Sequence, residues 1–163
     1  MQNFYLEIDG IKGESTSAQG KDMIEILSFS HGISMPLTAS ASGAGRTHGR
    51  AVHQDMTVSK YLDLATTTLN AKTCGGDSIK KMTIHCWGAS ADGAPIEYYK
   101  IEFTDVIITS ISIGGGGGDR PVETACFNYN QITWTYTQHN HDSPGAKKGN
   151  ASASWDLQLN KSK

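Results

Sequence analysis

The sequence predicts a mainly β protein: a single closed β-barrel with one short flanking α-helix and one extended loop. Apolar and polar residues alternate in short runs along most of the chain. Gly, Thr, Ser and Ile are plentiful, whereas Leu, Glu and Lys at helical spacing are scarce. Only one stretch carries both a helix start and a helix stop signal.

Phe4, Leu6 and Ile8 alternate with Tyr5 and Glu7, which predicts a strand with one buried face. IDGIKGES then breaks the pattern. Between Met23 and His31 the alternation resumes, with Ile24 and Ile26 on one parity and Leu27 and Phe29 on the other, so a bulge is expected there. Residues 36–50, PLTASASGAGRTHGR, contain one large apolar side chain and cannot build a core of their own. Such a loop is either disordered or ordered by something outside its own domain. Val52, Met56 and Val58 lead towards Tyr61 as the next strand. Thr66 is expected to cap a helix of about eight residues, with Leu69 turned inward and Gly75 as its left-handed stop. A helix so short must be held by packing on the sheet.

Three strands are expected next: one through Met82, Ile84 and Cys86, one through Ile96, Tyr98, Ile101 and Phe103, and one from Ile107 to Ile113. Gly114 to Gly118 end that run. Ala125, Phe127 and Tyr129 continue into Ile132, Trp134 and Tyr136 with a parity change at Asn130 and Gln131, where a second bulge is expected. A polar loop is expected over residues 139–149, and a last strand through Trp155, Leu157 and Leu159. The sum is eight to ten short strands and no internal linker, hence one domain over residues 1–163. A chain of this length buries roughly 70% of the surface it exposes unfolded, enough for one core.

Lys and Arg total 14 against 16 for Asp and Glu, so there is no general attraction to phosphate backbones or anionic membranes. Neither nucleic acid nor membrane insertion is expected. No apolar run approaches the roughly 20 residues of a spanning helix. The start, MQNFYLEIDG, lacks the basic end and apolar block of a signal peptide. The expectation is folding in the cytoplasm and, for export, a route that accepts folded protein. Cys74, Cys86 and Cys126 form no CxxC pair and read as buried free thiols rather than a disulfide framework or zinc site.

Candidate chemistry is sparse. Gly114 to Gly118 is not followed by Lys-Ser or Lys-Thr, and the next segment is a strand, so a hairpin connection is the better reading than a phosphate loop. His139, His141 and Asp142 form HNHD, but nothing downstream supplies the further ligands a metal enzyme needs. His48 and His53 have no carboxylate at a triad-like spacing, and there is no G-x-S-x-G elbow. Glu102 and Asp105, three apart on a strand, point to opposite faces and cannot pair as acid and base. Trp87, Trp134 and Trp155 sit in alternating strands and read as core or interface rather than as a sugar platform. No catalytic residue, cofactor site or metal site is assigned.

Three stretches, KYLDLATTTLNAKTCGG from Lys60, EYYKIEFTDVIITSISIGGGGGD from Glu97 and ETACFNYNQITWTYTQ from Glu123, resemble the hemolysin-coregulated protein family of type VI secretion. LEIDGIKGES near the start and SWDLQLNK near the finish extend the resemblance over nearly the whole chain. Thr67 and Ser154 depart from the proline and glycine common in the family. The resemblance implies a non-enzymatic subunit of a secreted tube, built of stacked six-membered rings inside a sheath, tipped by a spike and sheltering effector proteins in the lumen. Its partners would be identical copies, sheath, spike and effectors.

Under that implication two sets of residues are candidates. The core-less loop, through Leu37, Thr38, Ser40, Ser42, Arg46, His48 and Arg50, is expected to make the contact between rings. Ser28 and Ser30, on the strand face opposite Phe29, either line the lumen or simply meet solvent. A metal-dependent barrel enzyme and a glycan- or peptide-binding module are the competing classes; six-fold particles, bound metal or a sugar-binding monomer would separate them.

Overall fold

The computed structural model describes residues 2–38, 47–90, 93–139 and 147–162. The main sheet contains β1 (Asn3–Ile8), β2 (Ile24–Ile26), β3 (Ser28–Ser30), β8 (Met56–Tyr61), β9 (Ile79–Ala89), β10 (Pro95–Gly114), β11 (Val122–His139), β12 (Lys147–Asp156) and β13 (Lys161–Ser162). Four two-residue strands, β4 (Ile33–Ser34), β5 (Leu37–Thr38), β6 (Thr47–His48) and β7 (Val52–His53), lie outside it. The helix α1 spans Thr66–Gly75.

All ladders are antiparallel, and they run β13-β12-β11-β10-β9-β1-β2, with β8 joining β11 to β3. Hydrogen-bonded ladders do not close the expected barrel. Between β2, which pairs β1, and β3, which pairs β8, the circuit is carried by one bent segment. Leu27 sits at the bend, its N–H donating to Ser59 O at 2.7 Å. The expected bulge here is therefore a corner at which one strand changes partners, and Leu27 is exposed rather than inward. Phe29 is half-buried and meets Phe4 edge-on at 5.4 Å.

The strands expected around Phe103 and Ile111 are one strand, β10, of 20 residues. Asp105, at φ 53°, carries the chain through without ending it. Phe103 and Val106 are both buried, as are Ile132 and Tyr129 opposite them, so inward parity changes in both strands at the same level. The register is the same on both sides, Phe103 facing Ile132 and Val106 facing Tyr129. The parity change at Asn130 and Gln131 is thus a shared crease and not a bulge. In this pair the register shifts instead between Ile108 and Ser110. β11 runs on to His139 and β12 begins at Lys147, so His139 and residues 147–149 of the expected polar loop are strand. β12 stops at Asp156, leaving Leu157 and Leu159 in a turn beyond the last long strand.

One core fills the interior, with Leu6, Ile24, Met56, Met82, Ile84, Phe103, Phe127 and Ile132 almost fully enclosed. Leu69 and Ala65 dock α1 onto it. The helix begins one residue earlier than a Thr66 cap would require. Ala65 occupies the cap position with no side-chain bond, because the Thr66 hydroxyl is engaged elsewhere. Its left-handed stop is Gly76, at φ 69°, and Gly75 is the last helical residue. Cys86 is buried and Cys126 half-buried, but Cys74 near the helix end is exposed, contrary to expectation.

Candidate functional site

Residues 33–38 and 47–53 leave the sheet as the two sides of a narrow antiparallel ribbon. Ile33 and Ser34 pair with His53 and Val52, and Leu37 and Thr38 pair with His48 and Thr47. Gly49 N–H donates to Pro36 O at 3.0 Å between the two ladders. The loop expected to need an outside partner for order is thus ordered, over its described residues, by its own pairing. It still has no core: Ile33, Met35, Leu37 and Val52 are all exposed, Leu37 at 61% and Val52 at 54%. Of the expected contact residues, Leu37, Thr38 and His48 lie on the ribbon strands. Arg50 turns back to the barrel, donating from Nη2 to Leu157 O. Ser40, Ser42 and Arg46 lie outside the described residues.

At the root, His31 and His53 converge on Tyr129 of β11. His31 Nε2 bonds Tyr129 Oη, and His53 Nδ1 lies 3.1 Å from the same oxygen. The two imidazole centroids are 6.2 Å apart. Burial lowers the pKa of both histidines, and the charge of His53 lowers that of His31 further.

Ser28 and Ser30 are exposed and lie on a wider polar surface. Register aligns Ser28, Ser59, Thr124 and Ser112 across β3, β8, β11 and β10, and a parallel row aligns Ser30, Thr57, Cys126 and Ser110. Cross-strand partners share a face, so two rows of small side chains cross four strands. Ser59 Oγ and Thr124 Oγ1 are 3.4 Å apart, and Thr57 Oγ1 and Cys126 Sγ 3.5 Å. Sequence reasoning found two of these residues and missed the rest. The Ser-x-Ser and Thr-x-Ser alternations at 110–112 and 57–59 were the available signal, and only the pairing joins them.

Behind the other face, a buried charge cluster fixes α1. Lys60 Nζ lies 2.6 Å from Asp63 Oδ1 and 3.1 Å from Glu123 Oε2, and donates to Tyr61 O and Thr66 Oγ1. Thr66 Oγ1 donates to Glu123 Oε2 at 2.7 Å and accepts from Asp63 N–H at 3.2 Å. Asp63 Oδ1 accepts the Ala65 N–H at 3.0 Å, so the carboxylate serves the helix start.

The catalytic candidates do not converge. Glu102 is tied to Lys81 at 2.8 Å and Lys100 at 3.4 Å, and these cations hold its pKa below the ordinary value, the Lys81 hydrogen bond foremost. Asp105 is exposed at the crease. His139 Nε2 bonds Glu97 O, whereas His141 and Asp142 lie outside the described residues. Among the described residues no three His, Cys, Asp or Glu side chains group as metal ligands. Trp87, Trp134 and Trp155 are half-buried, the last two packed against the core. No helix among the described residues is long and apolar enough to cross a membrane.

The described residues thus combine a barrel-like antiparallel sheet, one docked helix and an exposed apolar ribbon. Residues 5–136 match the family described as type VI secretion system effector, Hcp, and the chain belongs to that family. It is 30% identical over 162 residues to protein hcp1 of Pseudomonas aeruginosa, covering 97% of this chain and 96% of that one. To the major exported protein of the same organism it is 27% identical over 123 residues, 71% of this chain and 70% of the other. A solved structure of a type six secretion system protein superposes with a TM-score of 0.88 at 29% identity, covering both chains completely.

Proposed function

We propose that this chain is the structural subunit of the type VI inner tube, forming six-membered rings that stack, are expelled, and shelter effector proteins in the lumen. The observation that carries the reading is the ribbon: four large apolar side chains held out on a self-paired element with no core beneath them. Exposed apolar surface of this kind marks a contact still to be made. Tyr61 and Val122, paired across β8 and β11, and nearby Leu64 add a second exposed apolar area on the barrel, so one subunit offers two different surfaces. A head-to-tail ring uses two unlike surfaces per subunit and stacking adds an axial contact; the ribbon is assigned to the axial contact and the barrel area to the ring.

Leu37, Thr38, Ser40, Ser42, Arg46, His48 and Arg50 are assigned to the ring-to-ring contact. Ser28 and Ser30, with the hydroxyl rows around them, are assigned to the lumen, where short polar side chains let cargo dock or pass without strong adhesion. Export of the assembled tube would bring the subunit outside the producing cell.

Electron microscopy of purified protein tests the assembly: six-fold rings are expected, and a dispersed monomer at high concentration overturns it. Deleting residues 36–50 should leave rings and prevent tubes; unaltered tube growth would refute the assignment of the ribbon. Ser30→Arg should reduce co-purified effector while rings persist, and unchanged cargo counts against the lumenal assignment.

A further inference from the structure

We propose that His31, Tyr129 and His53 form a proton-sensitive latch that holds the root of the ribbon against the barrel at neutral pH and releases it in acid. The latch is built from this chain's own residues and does not rest on the ribbon's role in stacking.

The geometry places one phenol oxygen between the two ends of the ribbon. His31 follows β3, where the chain leaves the barrel, and His53 ends β7, where it returns. Both imidazoles bond Tyr129 Oη, a buried residue whose ring packs on Phe103 of β10 with centroids 4.9 Å apart. Gln54 N–H donates to Gly32 O at 2.9 Å just beyond the cluster, so the same root carries a backbone clasp.

A phenol has one proton to donate and two lone pairs. With both imidazoles neutral, Tyr129 donates to one ring and accepts from the other. With one protonated, the cation donates to the oxygen and the phenol still donates to its neutral neighbour. With both protonated, the two rings can only donate, the phenol proton loses its acceptor, and two cations stand 6.2 Å apart in a partly desolvated site.

The charged groups around the cluster do not relieve this. Asp55, the carboxylate that bears on Tyr129, accepts from Thr109 Oγ1 at 2.6 Å and Asn128 Nδ2 at 2.9 Å. Phe103 presents an apolar ring from β10. Arg50, the cation of the ribbon at this end, is engaged with Leu157 O and supplies no negative charge. Both histidines have pKa values lowered by burial, so the stabilisation they give is complete above the ordinary value of 6.5 and is lost as pH falls through their folded values.

Amide hydrogen exchange on the full chain, corrected for the intrinsic rate at each pH, reads the root directly. Between pH 7 and pH 5 the Gln54 amide should lose protection several-fold while Ile84 in the core keeps its own. In the His31→Gln/His53→Gln variant that pH dependence should vanish. Equal protection of Gln54 at both pH values in the wild type, or undiminished pH dependence in the variant, overturns the latch. An NMR titration of the wild-type imidazoles decides the matter even if the variant fails to fold. Both rings should titrate below 6.5, in two separated steps; either ring titrating at or above 6.5 overturns it. Failure of the latch would leave the ring and tube reading untouched, since neither measurement scores assembly.

Discussion

Lys60 and Glu123 face each other across the β8–β11 ladder, Nζ and Oε2 3.1 Å apart, with side chains 2% and 0% exposed. The pair sits under the first turn of α1, where Asp63 and Thr66 complete the cluster. Taking such charges out of water is costly unless each keeps its partners, so the cluster fixes where the helix starts more than it adds net stability.

Removing one partner should expose that cost. Lys60→Met leaves Glu123 buried without its cation and is expected to destabilise by about 3–5 kcal/mol, whereas Lys60→Met/Glu123→Leu should recover much of the loss. Urea unfolding of the three proteins checks this. A single variant within about 1 kcal/mol of wild type would mean the pair behaves as a surface ion pair.

His85 responds to pH in the opposite sense to the ribbon histidines. Burial would lower its pKa, but Glu97 Oε1 at 2.5 Å from Nδ1 and Glu7 Oε2 at 3.1 Å from Nε2 outweigh burial and raise it. The raised value makes its contribution complete below 6.5 and lost as pH rises through the folded value. Stability of the wild type should therefore fall between pH 6.5 and mildly alkaline pH more steeply than that of His85→Gln, as denaturant midpoints will show.

The thiols should separate by exposure. Cys74 is exposed, Cys126 half-buried and Cys86 buried, with burial and the Glu97 charge pushing the Cys86 thiol up to about 12. Brief maleimide treatment of native protein at pH 7 should give one adduct, mapped to Cys74 by mass spectrometry. Modification of Cys86 before unfolding would contradict the buried assignment.

Gly13 is held between β1 and β2, its N–H donating to Asp22 O at 2.8 Å, and a Cβ there would collide with the backbone carbonyl of Met23. Gly13→Ala should cost about 1–3 kcal/mol, the range for forced overpacking, read as a lowered denaturant midpoint.

Much of the sheet is legible in the sequence because each strand has one wet and one dry face. Met82, Ile84 and Cys86, or Ala125, Phe127 and Tyr129, announce themselves by alternation, and each set lies in the core. Alternation fails where the backbone changes face without ending a strand. The change of parity between Phe103 and Ile107 reads as two strands, yet Asp105 in a left-handed conformation carries β10 through, and only the matching crease at Asn130 explains why both strands change parity together. The helix start was misplaced by one residue for a related reason. A threonine before an apolar position signals a cap, but Thr66 serves Glu123, a partner far along the chain. The same distance hides Lys60 with Glu123 and His31 with His53 and Tyr129, none of which forms a local motif. The family resemblance was legible from contiguous stretches; the hydroxyl rows around Ser28 and Ser30 required the register.

The long hairpin of β10 and β11 also sets an order on synthesis. β8 pairs with β3 and with β11, and the two ends of the curved sheet meet only through β11. A nascent chain that has emerged only as far as Gly114 offers an unmated β8 edge to its surroundings. Until residues 122–127 leave the ribosome, that edge lacks the strand that covers it in the finished sheet, and an uncovered strand edge is a template for wrong pairing.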